Sequence, residues 1–257
     1  MSQQALNAFS LSGKTAVVTG ASSGIGQAQS LALAKAGASI VLIGRREAAL
    51  SATRQSIEAI NANAFVLPAD LHDRQNFAQL ARTAIGLTGS VDILINAAGV
   101  NYREPSEQIS PESWDETLNL NLSAPFFLAR EFVPGMQSRG WGRIINIASL
   151  QTTRAFANGM AYGASKGGIG QVTRAMAESW SANGVTCNAI APGFFPTALT
   201  APVFEQSDLT EKLAAQTAIG RNGELADLDG ITVFLASPAS NYITGQIIYV
   251  DGGFTAK

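Results

Sequence analysis

With 257 residues, 46% of them hydrophobic and 14% charged, the chain can bury a sizeable core, which excludes a disordered protein. A formal net charge of −2 gives no electrostatic footprint for nucleic acid. The single cysteine, Cys187, excludes an internal disulfide and reads as a small buried apolar residue. The opening MSQQALNAFSLSGK lacks the apolar run of a signal peptide, and no stretch is apolar for long enough to span a bilayer. A soluble cytoplasmic protein without a membrane partner is the expectation.

The first expected strand, KTAVVTG (14–20), runs into the glycine-rich turn TGASSGIG (19–26) and a helix over 24–36. Gly20, Gly24 and Gly26 are spaced G-x-x-x-G-x-G, which is neither a Walker loop nor the common G-x-G-x-x-G. The physical task is similar: glycines let backbone approach a pyrophosphate, and the helix N-terminus faces it with free N–H groups. The second strand, SIVLIG (39–44), ends in IGRR before a helix over 47–61. The group that reads an adenosine ribose belongs there, roughly 20 positions past the loop. No acid is present. Arg45 and Arg46 either clamp a 2′-phosphate, which favours NADP over NAD, or are two solvated arginines opening a helix.

The third strand, AFVLPAD (64–70), closes on Asp70, which lies near an adenine, caps a turn, or does both. His72, the only histidine, is far from the candidate chemistry and receives no role. A helix over 73–87 leads to VDILINAAG (91–99), then come a long helix over 111–138 and the strand GRIINIAS (142–149). A helix over 161–183 precedes VTCNAIAPG (185–193), and a helix over 224–236 precedes the last strand, QIIYVDGG (246–253). The strands are continuously apolar, which suits a parallel sheet buried on both faces. Strands alternating with helices predict one α/β domain over 1–257, a doubly wound Rossmann-type sheet of about seven strands with helices on both faces. Residues 194–222 interrupt this rhythm. They form either a surface helix pair or a lid, and their place after a strand's carboxyl end favours the lid over a substrate.

Within MAYGASKGG (160–168), Tyr162 and Lys166 stand four apart among glycines and alanines. Residues i and i+4 share a helix face, so both reach one site. A phenol with a pKa of about 10 is a poor base at neutral pH, and lowering it by three units needs about 4 kcal/mol. An ammonium about 4 Å away supplies about that much at an effective dielectric near 20. The small neighbours are expected to let a flat ring and a substrate approach the helix.

Taken together, TGASSGIG, NAAG (96–99), Asn121 in NLNLSAPFF, Ser149 in INIAS, YGASK (162–166) and NAIAPGFFPT (188–197) resemble the short-chain dehydrogenase/reductase family over essentially the whole chain. The resemblance implies hydride transfer between a nicotinamide and a small-molecule substrate. Tyr162 would be the general acid/base and Ser149 would bind the substrate oxygen. Lys166 would lower the tyrosine pKa and hold ribose hydroxyls, and Asn121 would hold a water linking Lys166 to solvent. Cofactor contacts are implied at Gly20, Ser22, Ser23, Gly24, Ile25, Gly26, Arg45, Arg46, Asp70, Leu71, Asn96, Ala97 and Gly99. Further on, Pro192, Gly193 and Phe195 would line the nicotinamide, and Thr197 would bind its carboxamide or a phosphate. No metal is implied, and a homotetramer is. Position 23 is Ser, where many NADP-using members carry Arg or Lys, so NADP preference rests on Arg45 and Arg46 and NAD stays open.

The start FSLSGKTAVVTG, the IGRR turn and INIASLQTTRAF resemble members that oxidise sugars, sugar acids or polyols, such as gluconate 5-dehydrogenases. Gln151, Arg154 and Asn158, between Ser149 and Tyr162, would then supply polar groups for a hydroxylated ligand. Arg154 either pairs with an anionic group or faces solvent or a neighbouring subunit. A 3-oxoacyl thioester or other carbonyl reductase is the competing enzyme, and a catalytically idle dinucleotide-binding regulator is the non-enzyme alternative.

Overall fold

The computed structural model describes residues 7–257. Seven strands form one parallel sheet in the order β3-β2-β1-β4-β5-β6-β7. They are β1 (Thr15–Thr19), β2 (Ser39–Gly44), β3 (Ala64–Pro68), β4 (Ile93–Asn96), β5 (Gly142–Ile147), β6 (Val185–Pro192) and β7 (Ile247–Val250). The helices are α1 (Gly24–Lys35), α2 (Glu47–Glu58), α3 (Phe77–Thr88), α4 (Pro111–Leu118), α5 (Ala124–Ser138), α6 (Met160–Trp180), α7 (Ala201–Phe204), α8 (Ser207–Gln216) and α9 (Asp229–Ala236).

Alternate residues of each strand enter opposite cores. Val17, Val41, Leu94 and Ile144 pack with Phe77, Leu128, Phe132 and Met176 from α3, α5 and α6. Val18, Leu42, Ile95 and Ile145 pack with Leu33, Leu50 and Leu235 from α1, α2 and α9. Both faces are thus apolar, which is why the strands read as unbroken hydrophobic runs. The chain order reverses between β1 and β4, so the sheet has its switch point there, and a crevice opens at the strand carboxyl ends.

Two predicted elements differ. The helix expected over 111–138 is α4 and α5 joined by a π-turn, Asn119–Ser123. In a π-turn the N–H bonds reach one residue further back, and Ala124 N accordingly bonds Asn119 O. The helix expected over 224–236 begins as a 3₁₀ turn, Leu225–Leu228, before α9. Cys187 is fully buried on β6, and burial pushes its thiol up to about 12. Among the described residues no helix is long and apolar enough to cross a membrane.

Candidate active site

A cavity of about 860 Å³ lies over the switch point. Its cofactor-side wall begins at the glycine turn, where close backbone contacts explain the residue type. A Cβ at Gly20 would lie 2.8 Å from Ala98 N, and one at Gly26 would lie 2.5 Å from Gly20 O. Gly20 and Gly24 also hold positive φ, +67° and +57°. Thr19 Oγ1 accepts from Ala97 N and Ala98 N, tying NAAG to the end of β1. Ser22, Ser23, Ile25, Leu71, Ala97 and Gly99 line the cavity, as do Pro192, Gly193, Phe195 and Thr197. A Cβ at Gly24 would meet Thr197 Cγ2 at 3.2 Å, so the chain after β6 returns directly against the turn.

Arg46 donates from Nη2 to Ser22 Oγ at 3.0 Å and Ser23 Oγ at 2.9 Å. Arg45 lines the same end, and among the described residues no carboxylate lies within ion-pair distance of either guanidinium. Two guanidiniums, neither in a direct ion pair though Arg45 feels the Asp70 carboxylate, with two hydroxyls beside a glycine turn fit a dinucleotide carrying an extra phosphate. Asp70 does act as a turn cap, accepting from His72 N at 3.0 Å, and it also lines the cavity. His72 sits in the cavity wall rather than far from it, with Nδ1 2.8 Å from Asp70 Oδ1 and Nε2 3.3 Å from Glu116 Oε1.

Asn96 is not in that wall. It is buried, and its Nδ2 donates to Asn146 Oδ1 at 2.9 Å and to Pro125 O. The Asn96 side chain thus ties the sheet centre together, which leaves its backbone for any contact with the ribose.

The chemistry-bearing groups converge where β5 meets α6. Ser149 accepts from Gln151 N at 3.1 Å, while its own N–H donates to Thr152 Oγ1, so a 3₁₀ turn fixes the serine against the strand end. Tyr162, one turn into α6, faces it. Burial raises the phenol pKa, while the Ser149 hydroxyl bonded to it and the Arg103 guanidinium pull it down. Lys166 is buried, donates from Nζ to Ile147 O at 2.6 Å, and is pushed down to about 8 by desolvation. Its Nζ lies 5.5 Å from the centroid of the Tyr162 ring. Lys166 is therefore not what offsets burial at Tyr162 here; that comes from Ser149 and Arg103, because the ammonium is aimed at a backbone carbonyl.

Asn121 is equally committed. Its Nδ2 donates to Val100 O and Ser165 Oγ, and its Oδ1 accepts from Val100 N. The amide clamps the β4 loop to α6 and both Nδ2 hydrogens are committed, so the water implied there is left the second lone pair of Oδ1 or the backbone. The glycines of α6 also differ in purpose. A Cβ at Gly168 would lie 2.9 Å from Leu122 Cδ2, and one at Gly170 would lie 2.7 Å from Thr152 Cγ2. They admit neighbouring protein, not ligand.

Gln151 and Asn158 line the cavity, Asn158 at a φ of +58°. Arg154 does not. It is exposed, donates from Nη1 to Phe254 O at 3.2 Å, and stands 5.3 Å from the centroid of the Phe254 ring. Arg103 takes the place anticipated for it. Sequence reasoning passed over this residue, which sits on the loop after β4 at a φ of +56°, lines the cavity, and has no carboxylate within ion-pair distance among the described residues. Its signal was positional: a lone cation just beyond the carboxyl end of a switch-point strand.

Residues 20–255 match the family model described as enoyl-(acyl carrier protein) reductase. Gluconate 5-dehydrogenase of Gluconobacter oxydans (strain 621H) is 38% identical over 249 residues, covering 97% of each chain. Galactitol 2-dehydrogenase (L-tagatose-forming) of Cereibacter sphaeroides is 38% identical over 251 residues, covering 96% of this chain and 97% of its own. The crystal structure of a gluconate 5-dehydrogenase from Burkholderia cenocepacia J2315 with NADP and tartrate superposes with a TM-score of 0.94. It is 33% identical and is covered to 99%, with 98% of this chain covered. By these matches over nearly its whole length, the chain belongs to the short-chain dehydrogenase/reductase family and is an NAD(P)-dependent oxidoreductase.

Proposed function

We propose that the protein interconverts a secondary alcohol and a ketone on a sugar acid, with NADP as the preferred cofactor. The observation that carries this reading is the grouping of Ser149, Tyr162 and Arg103 about one cavity. A bound nicotinamide supplies the hydride acceptor or donor. In the oxidising direction Tyr162 Oη takes the hydroxyl proton, and Ser149 Oγ holds the reacting oxygen. Lys166, whose Nζ is fixed on Ile147 O, provides donors for ribose hydroxyls. Arg103 anchors the substrate carboxylate and favours the phenolate at the same time. Gln151 and Asn158 receive hydroxyls. Arg45, Arg46, Ser22 and Ser23 hold the 2′-phosphate. Residues 194–222 close over the substrate as a lid, and the whole of 1–257 works as one domain.

Several relatives support the substrate class. Beyond the Gluconobacter enzyme, 2-dehydro-3-deoxy-D-gluconate 5-dehydrogenase of Bacillus subtilis (strain 168) is 39% identical over 251 residues. The Burkholderia structure holds NADP and tartrate, a dicarboxylate. The working form is a cytoplasmic homotetramer. The test is a panel of sugar acids, polyols and 3-oxoacyl thioesters with each cofactor, followed at the reduced-nicotinamide absorbance. Sugar acids with NADP should lead, and Arg103→Met should raise KM for them while sparing neutral polyols. Arg45→Asp should shift preference toward NAD. Faster turnover of thioesters, or equal use of NAD by the unaltered enzyme, would refute the respective assignment.

A further inference from the structure

The walls on either side of Ser149 differ in chemistry. Ser149 follows β5, so the loop after β4 lies on one side of it and the segment after β6 on the other. The β4 side carries Arg103. The β6 side turns Phe194, Leu199, Val203, Leu209 and Leu213 to the cavity. Two hydroxyls of that segment also line it, and both are spent internally. Thr200 Oγ1 bonds Phe195 O and Thr197 O, and Thr197 Oγ1 pairs with Thr200 Oγ1 at 3.0 Å. Their hydrogens are committed, so a substrate hydroxyl pressed against this wall would lose water and find no side-chain donor.

We infer that the enzyme takes a second, less hydroxylated class of substrate: oxo and hydroxy acids bearing an alkyl or aryl group on the side of the reacting carbon away from the carboxylate. The inference rests on the reading above, with the carboxylate at Arg103 and the reacting oxygen at Ser149 and Tyr162. The far carbons then lie under the lid, where C–H surface is the complementary chemistry. Leu213 and Val203 are 7% and 4% exposed, so they form a preformed floor, whereas Leu209 and Leu199 are more accessible and sit at its rim. The reaction is the same two-electron exchange. The reduced nicotinamide gives hydride to the carbonyl carbon, Tyr162 gives the proton to its oxygen, and the hydroxy acid leaves.

The test uses NADPH with 5-oxohexanoate, 5-oxooctanoate and 5-oxodecanoate beside 5-oxogluconate, on the full-length enzyme and on Leu209→Gln and Leu199→Gln. Extending the alkyl chain should raise kcat/KM by roughly tenfold or more across the series, since a methylene in an apolar pocket is worth roughly 10–200-fold when it fits. The two variants should flatten that rise while leaving NADPH affinity unchanged. A flat series in the unaltered enzyme, with 5-oxogluconate still reduced, overturns the apolar subsite and spares the sugar-acid reading. Failure to reduce any of the four ketones overturns both. A rise with chain length that neither variant diminishes also sinks the assignment, because the chain would then be lodged elsewhere.

Discussion

A methyl group added at Gly26 would lie 2.5 Å from the Gly20 carbonyl oxygen, whereas one added at Gly220, beyond α8, would touch nothing within 4 Å and meet only the strain of a φ of +75°. The contrast extends to both halves of the cavity. On the cofactor side the backbone itself is the binding surface, so residue type is dictated by main-chain approach and by positive φ. On the other side the surface is made largely of side chains delivered from the β4 loop, residues 149–162 and residues 194–222. Gly20 and Gly26 of the first half cannot be enlarged without moving backbone. The second can change its ligand while keeping its fold.

If the halves are separable, Tyr162→Phe should abolish chemistry without disturbing the first half. Turnover should fall by roughly 10²–10⁴-fold, the range for loss of a general acid or base, with dinucleotide affinity unchanged in a fluorescence titration. Near-normal turnover would break both the mechanism and the contrast.

Gly26→Ala is the converse. The added carbon meets backbone that cannot rotate away, and overpacking of this kind costs about 1–3 kcal/mol. Dinucleotide affinity should drop roughly tenfold to a hundredfold, with a lower melting temperature. Unchanged cofactor binding would mean that the turn yields more readily than the contact distances imply.

Lys166 joins the halves, and pH addresses it. Its folded pKa of about 8 lies below its ordinary 10.5. Between those values the unfolded chain holds the extra proton, so the stability contribution of this group rises with pH across that window. The ammonium itself is lost over the same rise. Dinucleotide affinity should therefore weaken as pH climbs through about 8, and Lys166→Met should bind weakly with no such dependence. A flat profile in the unaltered enzyme would remove Lys166 from cofactor binding.

The smallest effect is expected at Arg154. Its exposed stacking on Phe254 contributes about 0.5–1 kcal/mol, so Arg154→Ala should lower the melting temperature slightly and leave KM for every acid unchanged. A selective KM increase for anionic substrates would restore it to the ligand.

Arg154, left open between ligand and solvent by the sequence, shows where sequence ceases to inform. Gly20, Gly24 and Gly26 and the i, i+4 pair Tyr162 and Lys166 are local patterns whose geometry follows from turn and helix periodicity, so they were legible. Continuous apolar runs likewise announced a sheet buried on both faces. Arg154 lies between Gln151 and Asn158, which do face the cavity, yet its direction was decided by Phe254, 100 positions away. Asn96 and Asn121 were recognisable as motif members, but their hydrogen bonds to Asn146, Val100 and Ser165 depend on tertiary packing. The π-turn at Asn119–Ser123 has no composition that separates it from plain helix.

Phe254 does more than hold an arginine. Its ring centroid lies 6.3 Å from that of Phe156, between Ser149 and Tyr162, and 5.7 Å from that of Phe194, just after β6, and those two rings are 6.1 Å apart. The loop between Ser149 and Tyr162 and the segment after β6, two walls of the cavity, therefore lean on a single phenyl ring. For evolution or for a directed library, the walls are then one inherited trait: enlarging or trimming that ring resets both together, while single changes elsewhere adjust one wall against a fixed partner. New specificity is reached soonest by varying Phe156, Phe194 and Phe254 as a set.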